Sequence, residues 1–316
     1  MAHALTHLDL VYKMIVYPNA KINIGLRVLN KRPDDFHDLE TVFYPVPQRD
    51  ILEVIEGAEL KMCQYGIEYP GDPMENLCVK AYRLLKQEFD IPAVEIHLYK
   101  KIPVGAGLGG GSSDAAFTLM VLNEMFHLNL SEDRLACYAA QLGSDCPFFI
   151  YNQPMLGTGR GEILTPITVD SLKNYEIKLV YPPVFVSTAD AYKGIIPRNM
   201  RDKSRETSAI SQTSAMPLTP QTSANSLAPD STSLTELLQL PPDKWMGKIE
   251  NDFEVTVFAK YPQLEQYKML LYEQGAVYAS MSGSGSAMFG VFKRLSNEKK
   301  GHPSATMSIP FLCTKT

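Results

Sequence analysis

Pro103-Val104-Gly105-Ala106-Gly107-Leu108-Gly109-Gly110-Gly111-Ser112-Ser113-Asp114-Ala115-Ala116 places five glycines within seven positions. Without Cβ atoms such a backbone can adopt positive φ, and its N–H groups can converge on anionic oxygens. Residues 112–128 read as a helix, apolar on most faces through Ala115, Ala116, Leu119, Met120, Leu122, Met125 and Phe126, and therefore buried. The unpaired N–H groups at its start and the positive end of its dipole reinforce the pull on an anion. Ser112 and Ser113 add hydroxyl donors, which can also ligate a magnesium ion accompanying a nucleotide. The stretch asks for an anion, and a polyphosphate suits it best.

Three other readings of the glycines compete. A Walker loop closes on Gly-Lys-Ser/Thr, and no lysine lies between Lys101 and the helix, so that reading fails. A dinucleotide-binding fingerprint is matched literally by Gly105, Gly107 and Gly110. It expects a hydrophobic parallel strand before the loop and an acidic residue at the end of the next strand. Here the preceding segment alternates Glu95, His97 and Tyr99 with apolar residues, and Glu124 falls inside the helix. The third is a plain glycine-rich turn with no ligand, which leaves the two serines at a helix start without a purpose.

Working outward, residues 94–99 alternate apolar and polar with period two and read as a half-buried strand. Residues 131–142 read as a helix capped by Ser131, with Leu135, Tyr138, Ala139 and Leu142 on one face and Gly143 as its stop. Pro147 should prevent continuation, leaving Ser144-Asp145-Cys146 in a tight connection before a strand at Phe148-Phe149-Ile150-Tyr151. The first strand pattern begins at Met14, so residues 1–13 read as an extension. Between 201 and 236, fourteen of 36 residues are Ser or Thr and none is aromatic. Such a stretch cannot bury enough apolar surface to offset its ordering entropy and reads as a disordered surface insertion. Residues 157–162, Gly157-Thr158-Gly159-Arg160-Gly161-Glu162, read as a hairpin or turn without assigned chemistry.

The 316 residues carry 30 basic and 35 acidic side chains, a formal charge of −5, with no Lys/Arg-rich run, which argues against a nucleic-acid or membrane partner. No apolar stretch approaches a membrane span, and the amino terminus does not read as a signal peptide. Five scattered cysteines without a C-x-x-C pair argue for a reducing, cytoplasmic setting and against disulfides or zinc.

The glycine stretch resembles the Pro-x-x-x-Gly-Leu-Gly-x-(Gly)-Ser-Ser motif of the GHMP kinases, which include galactokinase, homoserine kinase, mevalonate kinase and phosphomevalonate kinase. Ala20-Lys21-Ile22-Asn23-Ile24-Gly25-Leu26 resembles the first motif of that family, and Ser280-Met281-Ser282-Gly283-Ser284-Gly285-Ser286 begins a segment resembling the third. Arg32-Pro33-Asp34-Asp35-Phe36-His37 and Asn251-Asp252-Phe253-Glu254 resemble most a member acting on a cytidine diphosphate-linked polyol. The likeness runs from about residue 14 to 292, omitting the insertion.

The resemblance implies an α+β fold in two domains. Residues 1–156 would form a ribosomal-protein-S5-like ATP-binding domain, and 157–316 a ferredoxin-like, substrate-side domain. It implies ATP with Mg2+ as co-substrate, its phosphates cradled by Pro103, Val104, Gly105, Ala106, Gly107, Leu108, Gly109, Gly110, Gly111, Ser112 and Ser113. Asp114, Asn76 and Lys100 match positions near the adenine or ribose. Asp145 matches the catalytic base in Gly-Ala/Ser-Asp-x-Pro, and Lys21 the neighbouring ammonium. Lys21 also stands out by itself, since a lysine in an apolar strand-like run is costly to bury without an anionic partner. Phe36 and His37 (Tyr-His in the usual pattern) and Tyr192 would hold the cytidine, with Asn23 a polar contact near the acceptor. Metal ligands stay unassigned, and a monomer or homodimer is expected. Another small-alcohol kinase of the homoserine or mevalonate type stays open, as does, further off, a dinucleotide-dependent oxidoreductase.

Overall fold

Val94, Ile96 and Leu98 are fully buried while Glu95, His97 and Tyr99 between them are not, as the period-two pattern requires of a strand covered on one face. They lie in strand Val94–Lys100 of a computed structural model that describes residues 13–68, 71–200 and 232–294. Two compact units emerge. The first takes Met1–Lys21, Pro45–Val104 and Leu108–Gln153; the second takes Ile22–Tyr44, Gly105–Gly107 and Pro154–Thr316. The last crossing, after Gln153, lies close to the expected cut at 156/157, but residues 22–44 and 105–107 join the carboxy-terminal part.

In the first unit, β1 (Lys13–Val16), β4 (Ile51–Glu56), β6 (Val94–Lys100) and β5 (Lys61–Gly66) form one sheet in that order. β1 and β4 pair antiparallel, as do β4 and β6, with Ile51 opposite Tyr99. β5 and β6 run parallel, joined by a crossover through α1 (Leu77–Lys86). Asn76 starts α1 by accepting the Cys78 N–H at 2.9 Å. α2 (Gly110–Met125) buries most of its length, as its apolar composition predicts. It begins at Gly110, two residues before the expected start. The Ile102 side chain would lie 2.9 Å from any Cβ at Gly110, so only glycine lets the helix begin so close to the preceding strand. α3 (Glu132–Leu142) carries the expected Ser131 cap, which accepts the Arg134 N–H at 3.3 Å.

The strand expected at 148–151 is a helix, α4 (Cys146–Tyr151). Pro147 sits in its first turn, where a missing N–H costs nothing and a fixed φ favours the helix. Phe148 and Phe149 are both fully buried, a case in which a short apolar run does not distinguish strand from helix.

Long strands β2 (Asn19–Lys31) and β3 (His37–Arg49), with β7 (Met155–Thr158) and β8 (Ile163–Pro166), form a second sheet. β7 and β8 make the hairpin expected around 157–162. In the second unit, β9 (Tyr175–Val180), β10 (Tyr278–Met281) and β11 (Met288–Lys293) form an antiparallel sheet with β11 central. Helices α5 (Thr188–Tyr192), α6 (Leu234–Leu237), α7 (Phe253–Lys260) and α8 (Gln263–Glu273) complete it. Its core gathers Leu26, Val28 and Leu39 from β2 and β3 with Phe253, Val257, Leu264, Met281 and Met288.

Of the expected insertion, residues 201–231 lie outside the described residues. Its last residues do not belong to it: Ser233 and Glu236 form a reciprocal cap at the start of α6, and Leu234 is fully buried. Among the described residues no helix is long and apolar enough to cross a membrane.

Candidate active site

In the first unit the carboxyl-terminal half of the glycine stretch runs straight into α2. Gly109 caps the helix with φ +69°, a left-handed conformation that glycine adopts without strain. A Cβ there would meet the Phe149 ring at 2.8 Å and Lys21 Cε at 3.2 Å, so the absence of a side chain lets the loop lie against Lys21. The backbone agrees, since the Lys21 N–H donates to the Leu108 carbonyl at 2.9 Å. Gly111 is exposed, and a Cβ on it would meet nothing closer than 3.8 Å, leaving that side of the helix start open. Bare amides, left-handed glycines and an open face fit a polyphosphate.

Lys21 does not point to solvent. Its side chain is 4% exposed, and its Nζ lies 3.2 Å from Asp145 Oδ2, whose carboxylate is 36% exposed. A buried ammonium beside a solvent-reaching carboxylate is a pair that retains an open edge for a third group. Asp145 precedes α4 and makes no side-chain cap bond to it, so the carboxylate is not spent on ending or starting a helix.

Lys100 and Asp114 stand elsewhere in the same unit. Lys100 Nζ donates to Asp114 Oδ2 at 2.7 Å and to Asp50, and all three residues are buried. Burial pushes the Asp114 carboxyl up to about 7 against the opposing pull of Lys100, with Asp50 adding to the rise. Ser113 Oγ and Asp114 Oδ1 are buried and find no hydrogen-bond partner among the described residues. Asn76 spends its side-chain oxygen on capping α1. Among the described residues no group of three or more His, Cys, Asp or Glu side chains is placed to hold a metal ion.

In the second unit Gly105 and Gly107 also have positive φ, +68° and +78°. A Cβ at Gly107 would lie 2.1 Å from the Ser282 carbonyl oxygen. The turn at 282–286 thus seats this half of the loop: Ser282 Oγ donates to the Gly107 carbonyl at 2.9 Å, and Ala287 N–H donates to the Ala106 carbonyl at 3.1 Å. Ser282 Oγ also accepts the Asn23 N–H at 3.2 Å, and Asn23 Nδ2 donates to Thr41 at 3.0 Å. Asn251 holds the turn from the other side, donating to the Met281 and Gly283 carbonyls at 2.8 Å each.

His37 stacks on Tyr192 with ring centroids 5.0 Å apart and planes 21° from parallel. Burial and the charge of Lys31 lower the His37 pKa, so its neutral form is favoured. Phe36 lies beside His37 in sequence but pairs with a different group. It is 53% exposed, and the Arg160 guanidinium lies 4.9 Å over its ring. The His37 and Tyr192 rings, already in stacking contact, leave no gap between them for a further ring.

Asp50 and Ser282 are the residues the sequence does not single out for a role. Asp50 is a lone acid at a strand junction with no pattern around it. Ser282 lies inside a motif in which any of four serines could act.

An α+β chain with a glycine-cradled helix start beside a Lys–Asp pair is a phosphotransferase of the GHMP type. It matches the family description "GHMP kinases N terminal domain" over residues 76–153 and "GHMP kinases C terminal" over 234–301, and it belongs to that family. The literal dinucleotide fingerprint is therefore incidental. A 4-diphosphocytidyl-2-C-methyl-D-erythritol kinase of Bacteroides fragilis is 48% identical over 283 residues, 88% of this chain and 92% of the relative. One of the same name from Cytophaga hutchinsonii is 41% identical over 88% and 92%. A crystal structure of 4-(cytidine 5'-diphospho)-2C-methyl-D-erythritol kinase superposes with TM-score 0.65 at 28% identity, covering 88% of this chain and 89% of the other. The mevalonate kinase of Methanococcus jannaschii shares the fold at TM-score 0.61 and 14% identity, over 89% and 91% of the two chains.

Proposed function

We propose that this chain transfers the γ-phosphoryl group of ATP to the 2-hydroxyl of 4-diphosphocytidyl-2-C-methyl-D-erythritol, a step of non-mevalonate isoprenoid precursor biosynthesis. The observation that carries the chemistry is the Lys21–Asp145 pair at 3.2 Å, with Lys21 packed against the loop at Gly109. The Asp145 carboxylate accepts the proton of the attacking hydroxyl, and the Lys21 ammonium stabilises the negative charge that develops on its oxygen. Amides of the glycine loop and of the α2 start hold the phosphate oxygens, so the transition-state charge meets dipoles already in place. Ser112, half-buried at the helix start, is the hydroxyl that would reach Mg2+ accompanying ATP, and the ion would supply further charge neutralisation; Ser113 Oγ is buried. His37, Tyr192 and Phe36 bind the cytidine and Asn23 the polyol end.

The acceptor is inferred from relatives at 41–48% identity that carry this name and span nearly the whole chain. Under this reading the first unit is the S5-like ATP-binding domain and the second the ferredoxin-like, substrate-side domain. The charge and cysteine pattern support a cytoplasmic setting without nucleic-acid or membrane partners, and a monomer or homodimer is the expected state. Purified protein with Mg-ATP should release ADP on addition of the cytidyl substrate and not on addition of homoserine or mevalonate. ADP release with either of the latter alone would overturn the assignment.

A further inference from the structure

Asp50, Lys100 and Asp114 come from three places in the chain: the β3–β4 junction, the end of β6 and the second turn of α2. Lys100 Nζ bonds a carboxylate on each side, Asp50 and Asp114, the latter at 2.7 Å. Asp50 does more. Its Oδ1 accepts the N–H groups of Lys101 at 2.5 Å and Ile102 at 2.8 Å, the residues through which the chain leaves β6 for the glycine stretch. One carboxylate therefore receives an ammonium and two backbone amides, while the ammonium reaches across to the helix on which the stretch ends. All three groups are buried, Asp50 completely. Gly110 belongs to the same arrangement, because a Cβ there would lie 3.2 Å from Lys100 Nζ and 2.9 Å from Ile102.

Burying three ionisable groups is expensive, and hydrophobic residues of similar volume would hold a strand to a helix at less cost. What an ion cluster provides is direction: fixed hydrogen bonds that allow one position for the loop entry and one for the helix start. We infer that Asp50 is a positioning residue for nucleotide binding, and that through Lys100 and Asp114 it clamps the two ends of the phosphate-binding stretch in register. The clamp sets the amides before ATP arrives, so the nucleotide need not order them. The inference rests on the kinase reading for the identity of the ligand, but its test does not need the acceptor.

Asp50→Asn keeps the shape but not the acceptor set, since an amide turns an NH2 toward groups that are all donors. Calorimetric titration with Mg-ATP should give an affinity at least about 10-fold weaker than wild type, the loss expected for a charged hydrogen-bond network left unsatisfied. In steady state the KM for ATP should rise in step while the KM for the cytidyl substrate stays put. Amide hydrogen exchange should accelerate at residues 101–113 and not elsewhere. Wild-type ATP affinity, or both KM values rising together, would overturn the clamp.

Should Asp50→Asn fail to fold, Asp114→Ala opens the clamp from the helix end and leaves the Asp50–Lys100 pair whole. It should show the same ATP-specific loss, with Asp114→Asn, which still accepts from Lys100, recovering affinity to within about threefold of wild type. Equal ATP affinity of Asp114→Ala and wild type would overturn the clamp too. Absence of ADP release by the wild-type protein with the cytidyl substrate would count against the acceptor instead, and the ATP titrations would still decide the clamp.

Discussion

Lys21 and Asp145 share one short ion pair, and the roles proposed for them predict a turnover defect from the loss of either. Under the proposed mechanism Asp145→Asn removes the proton acceptor, and Lys21→Met removes the stabilising charge. Each should lower kcat by at least about 10²-fold, the usual worth of a positioned acid–base or electrostatic group. ATP affinity should hardly change, because the proposed mechanism assigns the phosphates to backbone amides. Single-turnover kinetics with saturating ATP would check this, and wild-type turnover in Asp145→Asn would remove the aspartate from the mechanism.

Asp114 makes a residue-level prediction about stability. Its carboxyl rises from 3.8 in the free group to about 7 in the fold, chiefly through burial. The folded state thus holds a proton that the unfolded state has lost, so this contribution is full below the free value and declines as pH climbs toward 7. Asp114→Asn cannot ionise and should lack that slope. Thermal midpoints from pH 5 to 8 should fall in the wild type relative to the variant, and parallel curves would contradict the assignment. The sequence marks Asp114 only as a family position, because its pKa depends on Asp50 and Lys100 arriving from distant strands.

Among elements, the glycine-rich helix start carries glycines of two kinds. Gly107 has φ +78° and the Ser282 carbonyl where its Cβ would be, 2.1 Å away. Gly107→Ala should therefore displace the loop from the 282–286 turn, lowering both thermal stability and ATP affinity. Gly111 stands in the first turn of α2 with open space beside it. There Gly111→Ala should hold or raise stability, by up to about 1 kcal/mol from helix propensity, while still weakening ATP binding because its methyl group occupies the side to which the proposed function assigns the phosphates. Thermal melts paired with ATP titrations check both, and unimpaired ATP binding by Gly111→Ala would place the phosphates elsewhere.

α4 is where sequence reading errs among the elements. Four apolar residues after a proline look like a buried strand, and their local pattern has no means of saying otherwise. The outcome stems from Pro147 serving as a helix start rather than a stop, and from two phenylalanines needing burial together. The Ser131 cap and the 94–99 alternation were legible because each is a local rule whose partner sits within a few residues.

For the molecule as a whole, the second unit draws core residues from far apart in the chain. Leu26, Val28 and Leu39 pack with Phe253, Leu264 and Met281, and Leu26 bonds along the backbone to Glu250 and Asp252. A fragment of residues 157–316 lacks all three apolar side chains and the strands that carry them. Each truncation of such a residue to alanine typically costs about 2–5 kcal/mol, comparable in sum to the whole stability of a domain. The fragment should show no cooperative unfolding transition by circular dichroism; a sharp melt would mean that the carboxy-terminal segments are self-sufficient.

The sequence by itself called for an anion at a glycine-rich helix start, and the resemblance of its motifs to the GHMP kinases implied the class of chemistry. Five glycines before a buried helix and a lysine where lysine is costly are signals spelled out by neighbouring residues, since backbone freedom and helix polarity are local properties; Asp145 gained its role only from the resemblance. Only the tertiary structure decided which groups meet: that Lys21 reaches Asp145, that His37 lies on Tyr192, and that Asp50 ties the loop entry to the helix. Those pairings span tens to more than a hundred residues, and long-range contact arises from how strands and helices pack, which no local spacing encodes.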